Sequence, residues 1–331
     1  MSKRILWIDN LSGLLIIQMI FLCHIRILAA SMSDSNTLRD FQYFLVFFMP
    51  WFFYKSGMFF RENRISGEIL KDCRKLLKPF IVYSLFGYIF QVSCMILRHE
   101  TLSAQTLLCD QFVGLVTSAS LPWQQPLWFL VSLFMVKNIF NVVQKCTNKY
   151  IILAISLFVG YICSFLSPIL NFWMGTTCQA LFFFSLGFVM KDRQFLCPVF
   201  FGAFIIYVLR YVFDWVHVWD ARINTVATED NYILTILVLV AGVILFNNVF
   251  RKFMDVKFPL LTSIGENSML FYVVHFPCVM FLRLYVMPYL HLEGTMKGFA
   301  ICSVLMIAYL WVFYVLVRKV NMCLRLFPKE K

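Results

Sequence analysis

From Leu11 to Ala30 the chain runs almost unbroken through apolar residues, LSGLLIIQMIFLCHIRILAA, and then turns polar through SMSDSNTLRD. A run of that length suits a helix crossing the hydrocarbon core of a bilayer, which takes about 20 residues. The alternation then repeats. A window of about 19 residues predicts ten spans, over 11–30, 41–60, 79–97, 126–143, 150–168, 172–190, 196–213, 232–250, 267–286 and 298–317. Only a few residues around Pro168 and Asn171 separate the fifth run from the sixth. Residues 101–119 carry Gln105, Asp110 and Gln111, too much polarity for a span, and are expected to form an interfacial or re-entrant piece. The pattern predicts an all-α, polytopic membrane protein, a single domain over 1–331 with no appended soluble domain. The first span is expected to be retained, because no small-residue cleavage site follows it.

Charge sets the expected orientation, since Lys and Arg collect on the cytoplasmic side of alternate loops. With the N-terminus inside, twenty of the 29 Lys and Arg fall on cytoplasmic segments, six of them between Arg61 and Lys78. The outer loops hold only Arg39, Arg98, Arg222 and Lys297, and Arg26, Lys55, Lys137, Arg210 and Arg283 lie within spans. That bias supports ten helices with both termini cytoplasmic.

Composition agrees: 61% of residues are hydrophobic and 14% charged, with 38 Phe, more apolar surface than a soluble core can hide. The net charge of +12 is accounted for by basic loops facing anionic lipid, without nucleic acid. The eleven Cys are scattered, with no C-x-x-C pair and no metal-ligand spacing, and suit apolar filler. There is no phosphate-cradling glycine loop, dinucleotide fingerprint, serine nucleophile elbow or inverted repeat. No metal site is expected.

Against this background His24 stands out. It lies fifteen residues beyond Asp9, about 22 Å along a helix in a hydrocarbon core about 30 Å thick. Ionisable groups at such depth are costly and mark function by default. Further short segments rise above the apolar background: Ile8-Asp9-Asn10-Leu11-Ser12-Gly13, Met49-Pro50-Trp51-Phe52-Phe53-Tyr54-Lys55-Ser56-Gly57, Pro126-Leu127-Trp128-Phe129-Leu130, and Ile264-Gly265-Glu266-Asn267-Ser268-Met269-Leu270-Phe271-Tyr272-Val273-Val274-His275. Arg74-Lys75-Leu76-Leu77-Lys78-Pro79 enters the third span.

In this order and spacing the segments resemble the membrane-bound acyltransferase-3 family, in particular stand-alone members similar to sugar O-acetyltransferases. The resemblance covers the whole chain. In one respect the chain departs: the family usually has Arg or Lys where this chain has Ser12, and eleven residues rather than the usual ten separate that position from His24.

The resemblance implies O-acylation, most simply O-acetylation, of a hydroxyl on a cell-envelope glycan or lipid-linked glycan precursor. The expected co-substrate is acyl-CoA, acetyl-CoA in the first instance, with no bound cofactor. The expected location is the cytoplasmic (inner) membrane of a bacterium, with membrane lipids and the glycan acceptor as partners. Acyl transfer to a hydroxyl needs a base, and an imidazole with a pKa near 6.5 suits that role at neutral pH. His24 is the candidate, as general base or as a nucleophile forming an acyl-imidazole, with Asp9 as the second catalytic candidate. On the donor side, Arg61, Arg64, Arg74, Lys75 and Lys78 are candidates for the phosphates of acyl-CoA, or are ordinary positive-inside charge. Ser56, Asn267 and Ser268 fall beside them. His275 either contacts the pantetheine arm or is structural. On the acceptor side are Arg26, Arg210, Asp214, Arg283 and Trp128; Arg210 and Asp214 also suit a helical ion pair, and Arg26 and Arg283 could snorkel outward. A glycan or lipid transporter or flippase, and a catalytically silent scaffold in envelope assembly, fit the same intramembrane charges.

Overall fold

The computed structural model describes residues 5–25, 45–61, 65–166, 172–191, 197–213, 231–292 and 295–324, and every regular element among them is helical. In chain order the α-helices are α1 (Leu6–Ile17), α2 (Phe48–Met58), α3 (Ile65–Asp72), α4 (Lys78–Leu97), α5 (Asp110–Ser118), α6 (Trp128–Val143) and α7 (Lys149–Phe165). They continue with α8 (Phe172–Met190), α9 (Cys197–Phe213), α10 (Tyr232–Phe253), α11 (Pro259–Glu266), α12 (Ser268–Phe281), α13 (Met287–Leu290) and α14 (Met296–Leu324). Wider, π-helical turns extend α1 over Gln18–Ile25, join α3 to α4 over Cys73–Leu77, lead into α5 over Gln105–Cys109 and come after α12 over Leu282–Val286.

Seven helical stretches among the described residues are long and apolar enough to cross a membrane: Leu6–Ile25, Ile69–Leu97, Gln105–Val143, Trp173–Met190, Tyr232–Phe253, Ser268–Leu290 and Met296–Val317. Each overlaps a predicted span. Lys149–Phe165 and Pro198–Arg210 are shorter apolar helices on the predicted spans 150–168 and 196–213. The second predicted span, 41–60, is represented by the 11 residues of α2. Exposed apolar side chains such as Ile81, Leu85, Ile89, Phe158, Phe204, Val304 and Trp311 cover outward helix faces, the surface an integral membrane protein presents to lipid. Arg26, Arg64 and Asp214 lie outside the described residues, as do Lys3, Arg4, Arg325, Lys329 and Lys331, which contribute to the charge-based orientation.

Residues 101–119, read as too polar to span, form only the π-helical turn Gln105–Cys109 and the nine residues of α5. Gln111 turns inward, where its amide donates to Gln91 Oε1 at 3.2 Å and to the Thr106 carbonyl at 2.9 Å. The outward face of α5 carries exposed Phe112, Val113 and Val116. The helix stops at Ala119, which adopts the left-handed conformation with φ 50°.

The chain divides into two compact units, one made of Met1–Leu45 with Val249–Lys331, the other of Val46–Asn248. In the first unit, α1 packs along α11. A Cβ added to Gly13 would fall on the Leu261 carbonyl, and one added to Gly265 on the Asp9 carbonyl. Two glycines, one from each helix, thus let the backbones touch, as small residues do at helix crossings in membranes. The N-terminus of α1 is closed by Asp255, whose carboxylate accepts from the Trp7 amide at 3.2 Å, satisfying one of the donors a helix start leaves open.

The second unit repeats the device. A Cβ on Gly57 of α2 would meet the Phe184 carbonyl, and one on Gly187 of α8 the Tyr54 carbonyl. Phe60, Phe140, Phe184 and Phe188 cluster beside this crossing with ring centroids 5.1–5.9 Å apart. Trp51 donates its indole N–H to Asn247 Oδ1 of α10 at 2.8 Å, and Lys137 forms an ion pair with buried Asp72.

Candidate functional site

The first unit brings together two histidines that lie 251 positions apart: His24 Nδ1 and His275 Nε2 are 2.8 Å apart. Each reaches the meeting point for a local reason. His24 sits near the end of the π-helical segment Gln18–Ile25, which packs against α12 and α14. His275 sits in mid-α12, fully buried, two residues before Pro277. Proline supplies no N–H and crowds the carbonyl four residues back; in the same turn the Val274 carbonyl accepts from the Tyr309 hydroxyl of α14 at 3.0 Å. α12 is thereby tied to α14 one residue before the histidine.

Hydrogen bonding fixes the tautomers. His275 Nδ1 is 2.8 Å from the Tyr272 carbonyl and 3.1 Å from that of Phe271. Carbonyl oxygens only accept, so His275 Nδ1 carries the proton. With the ring neutral, its Nε2 is an acceptor, and His24 must donate to it from Nδ1. The lone pair of His24 then resides on Nε2. The ring planes lie within 18° of each other with centroids 4.9 Å apart. Since the contact joins two ring nitrogens, these near-parallel planes belong to an edge-to-edge hydrogen bond rather than a face-to-face stack. Phe276 meets His24 edge-on at 5.4 Å and 82°, which restricts the swing of the ring. His24 itself is only partly buried. The pair therefore consists of one accessible imidazole oriented by a buried one, the arrangement by which a base is held in a single tautomer.

The π-helical segment also bears on the departure at Ser12. One extra residue lies between that position and His24 relative to the usual spacing, and a π turn takes up an added residue without rotating the downstream side chains to another face. The segment Gln18–Ile25 falls inside that interval. Ser12 is fully buried, and its hydroxyl donates to the Ile8 carbonyl at 2.7 Å.

The other candidates fall in different places. Asp9 is buried in the first turn of α1, fifteen residues before His24, and at about 1.5 Å per residue the two are far out of contact. Its neighbour Asn10 is the side chain that sequence reasoning passed over. It is fully buried; its amide donates to the Met254 and Val256 carbonyls at 2.7 and 2.8 Å, and its Oδ1 accepts from Thr262 at 2.7 Å. The only signal was its place within the Ile8–Gly13 motif. Asn267 marks the break between α11 and α12 and donates to the Ser263 carbonyl at 2.8 Å; Ser268 opens α12. Arg283 is exposed on the π-helical turn after α12.

In the second unit Arg61, Arg74, Lys75 and Lys78 are exposed. Ser56 donates to the Phe52 carbonyl at 2.9 Å, a bond internal to α2. Lys55 places its ammonium 5.7 Å from the centre of the Trp51 ring. Trp128, at the start of α6, is buried with its ring edge against Phe129 at 6.2 Å. Arg210 is only 3% exposed, with its guanidinium 5.5 Å from the Tyr207 ring centre. The described residues contain no cluster of His, Cys, Asp and Glu able to hold a metal ion.

A family model described as an acyltransferase domain, of acyltransferase-3 type, matches residues 5–318. No curated protein and no solved structure matches.

Proposed function

The chain belongs to the acyltransferase-3 family, and from that premise we propose that it transfers an acyl group, in the first instance acetyl, from cytosolic acyl-CoA to a hydroxyl of a cell-envelope glycan or lipid-linked glycan precursor, in the cytoplasmic membrane of a bacterium. The observation that carries the reading is the His24–His275 pair in an otherwise apolar helix packing. As general base, His24 Nε2 takes the proton of the acceptor hydroxyl while the oxygen attacks the thioester carbon. The resulting imidazolium keeps its Nδ1–H on His275 Nε2. When the tetrahedral intermediate collapses, the C–S bond breaks and the proton on Nε2 passes to the departing CoA sulfur. In the nucleophilic variant, Nε2 itself attacks the thioester, the C–S bond breaks and CoA leaves as the thiolate, and the acyl-imidazolium passes its acyl group to the hydroxyl, whose proton converts the thiolate to the thiol. Either route uses the same nitrogen, and His275 holds it in place.

Purified wild-type protein given radiolabelled acetyl-CoA and membrane glycan extract should transfer label to the glycan. His24→Ala, with an unchanged circular dichroism spectrum, should lose on the order of 10²- to 10⁴-fold in rate, the range general-base catalysis spans. Full transfer by a folded His24→Ala protein would remove His24 from the chemistry. In parallel, the envelope glycan of a deletion strain should lose a single acyl mass. Substrate movement without acyl-CoA would instead favour a transporter.

A further inference from the structure

α14 turns most of its surface outward: Val304, Ile307 and Trp311 are exposed, and a narrow stripe of Cys302, Met306 and Leu310 faces inward. Tyr309 stands beside that stripe, half-buried. A phenol in an apolar helix needs a partner for its O–H, and the Val274 carbonyl of α12 takes it at 3.0 Å. What this bond does follows from where it falls in α12.

α12 carries Pro277 in its interior. Proline has no N–H to offer the carbonyl four residues back, that of Val273, so the rung of the helical ladder that would bracket Val274, His275 and Phe276 is missing. A helix bends most readily where such a rung is lost. Two of the three bracketed residues touch the candidate base. His275 Nε2 lies 2.8 Å from His24 Nδ1, and Phe276 meets the His24 ring edge-on at 5.4 Å. The Phe276 ring is also perpendicular to that of His275, at 6.1 Å, so it lies beside the hydrogen bond the two imidazoles share. A change in the bend at Pro277 therefore displaces both of these contacts together. The bonds from His275 Nδ1 to the Phe271 and Tyr272 carbonyls are internal to α12 and move with it. The bond from Tyr309 comes from another helix, and that helix also packs against the π-helical segment carrying His24. α14 thus holds both sides of the pair.

We propose that Tyr309 is a positioning residue for the histidine pair: its hydroxyl, on the Val274 carbonyl, sets the bend of α12 at Pro277 so that His275 Nε2 receives the Nδ1–H of His24. The kinetic consequence rests on the acyl-transfer reading, and the structural consequence does not. Tyr309 touches no reacting atom, so its loss leaves the base present but poorly held.

The test uses the full chain in nanodiscs, isotopically labelled at the nitrogens of its five histidines, with signals assigned from His24→Gln and His275→Gln. Wild type should show a nitrogen–nitrogen coupling across the His24–His275 hydrogen bond. Tyr309→Phe, which removes the hydroxyl alone, should lose that coupling. Its kcat for acyl transfer should fall about 3- to 10-fold with KM for acetyl-CoA unchanged, the worth of one neutral hydrogen bond read as a rate. Tyr289→Phe, at a tyrosine 83% exposed in the same unit, is the control and should change neither. A second arm restores the missing rung with Pro277→Ala. In that background Tyr309→Phe should cost less than about twofold, because the bend no longer needs an outside tie; a purely structural loss would be additive. No coupling in wild type, coupling retained in Tyr309→Phe, a raised KM in place of a lowered kcat, or equal losses with and without Pro277 would overturn the proposal. Coupling present in wild type and lost in Tyr309→Phe, with no acyl transfer by wild type from any acyl-CoA, would uphold the positioning and overturn the acyl-transfer reading instead.

Discussion

His24 and His275 divide access from anchorage: one imidazole is partly exposed and the other is fully buried with its Nδ1 on backbone carbonyls. A residue that acts through another should alter turnover more than substrate binding. His275→Ala is therefore expected to lower kcat by about 10- to 100-fold with KM nearly unchanged, because the orientation of the base is lost and not the base itself. His275→Gln, which can present an amide oxygen to His24 Nδ1, should recover part of that loss. Release of free CoA thiol, measured at several acetyl-CoA concentrations, separates kcat from KM. A purely structural role would move stability and leave the ratio between the two variants flat. Asn10 belongs to the structural class. Its removal strips partners from two carbonyls and from Thr262, and Asn10→Ala should destabilise the protein by roughly 2–4 kcal/mol, read as a lower thermal midpoint in detergent. Both histidines were visible in the sequence, His24 as a costly residue in an apolar run and His275 at the end of a motif segment. Their partnership was not, since the chain places them on helices at opposite ends of its length.

Helix crossings and helix irregularities explain motifs that resemblance alone would have credited to chemistry. Gly57 and Gly265 stand in two of the four motif segments, and both sit at backbone contacts between helices. Gly265→Ala should clash with the Asp9 carbonyl, a backbone atom that cannot turn aside, and cost about 1–3 kcal/mol or more. Gly202→Ala is the matched control: nothing lies within 4 Å of the added methyl, and on α9 it should be neutral or mildly stabilising. Comparing the two thermal midpoints isolates the crossing from the general effect of alanine. The π-helical segment supports a prediction of a different kind. Deleting one residue from it, Ile20 for example, should let the segment relax to α-helical geometry and keep His24 facing His275, with folding and acyl transfer largely retained. Deleting Leu14, in the regular part of α1, should rotate Ser12 and Gly13 away from α11 and abolish folding, as measured by size-exclusion profile and activity. Hydrophobic periodicity did not disclose the π turns, because an apolar run facing lipid and neighbours on all sides has no amphipathic stripe whose phase could reveal a wider turn.

Over the whole molecule, the chain's two ends build the unit that holds the histidine pair, while residues 46–248 build the other. Thiol chemistry tests the burial pattern and the membrane orientation together. Cys109 and Cys146 are exposed, whereas Cys23, Cys94, Cys163, Cys278 and Cys302 are buried. In detergent the first two should label with maleimide well before the others. In intact cells a membrane-impermeant maleimide should spare Cys146, which lies between Lys145 and Lys149 on a loop that the charge bias assigns to the cytoplasm, and should reach it in inverted vesicles; the reverse pattern would invert the topology. By itself the sequence determined the solvent, the helical class and the approximate limits of most spans, because transfer of an apolar run into hydrocarbon is decided residue by residue within a single segment. It also marked His24 as costly and placed His275 at the end of a motif segment. Only the tertiary structure decided that the two form one hydrogen-bonded pair, that α1 widens before His24, and that several motif residues serve helix contact, because these depend on which segments meet across hundreds of residues. Close packing and the hydrogen bonds of buried polar groups select among such meetings, and neither is encoded in the hydropathy of any one segment.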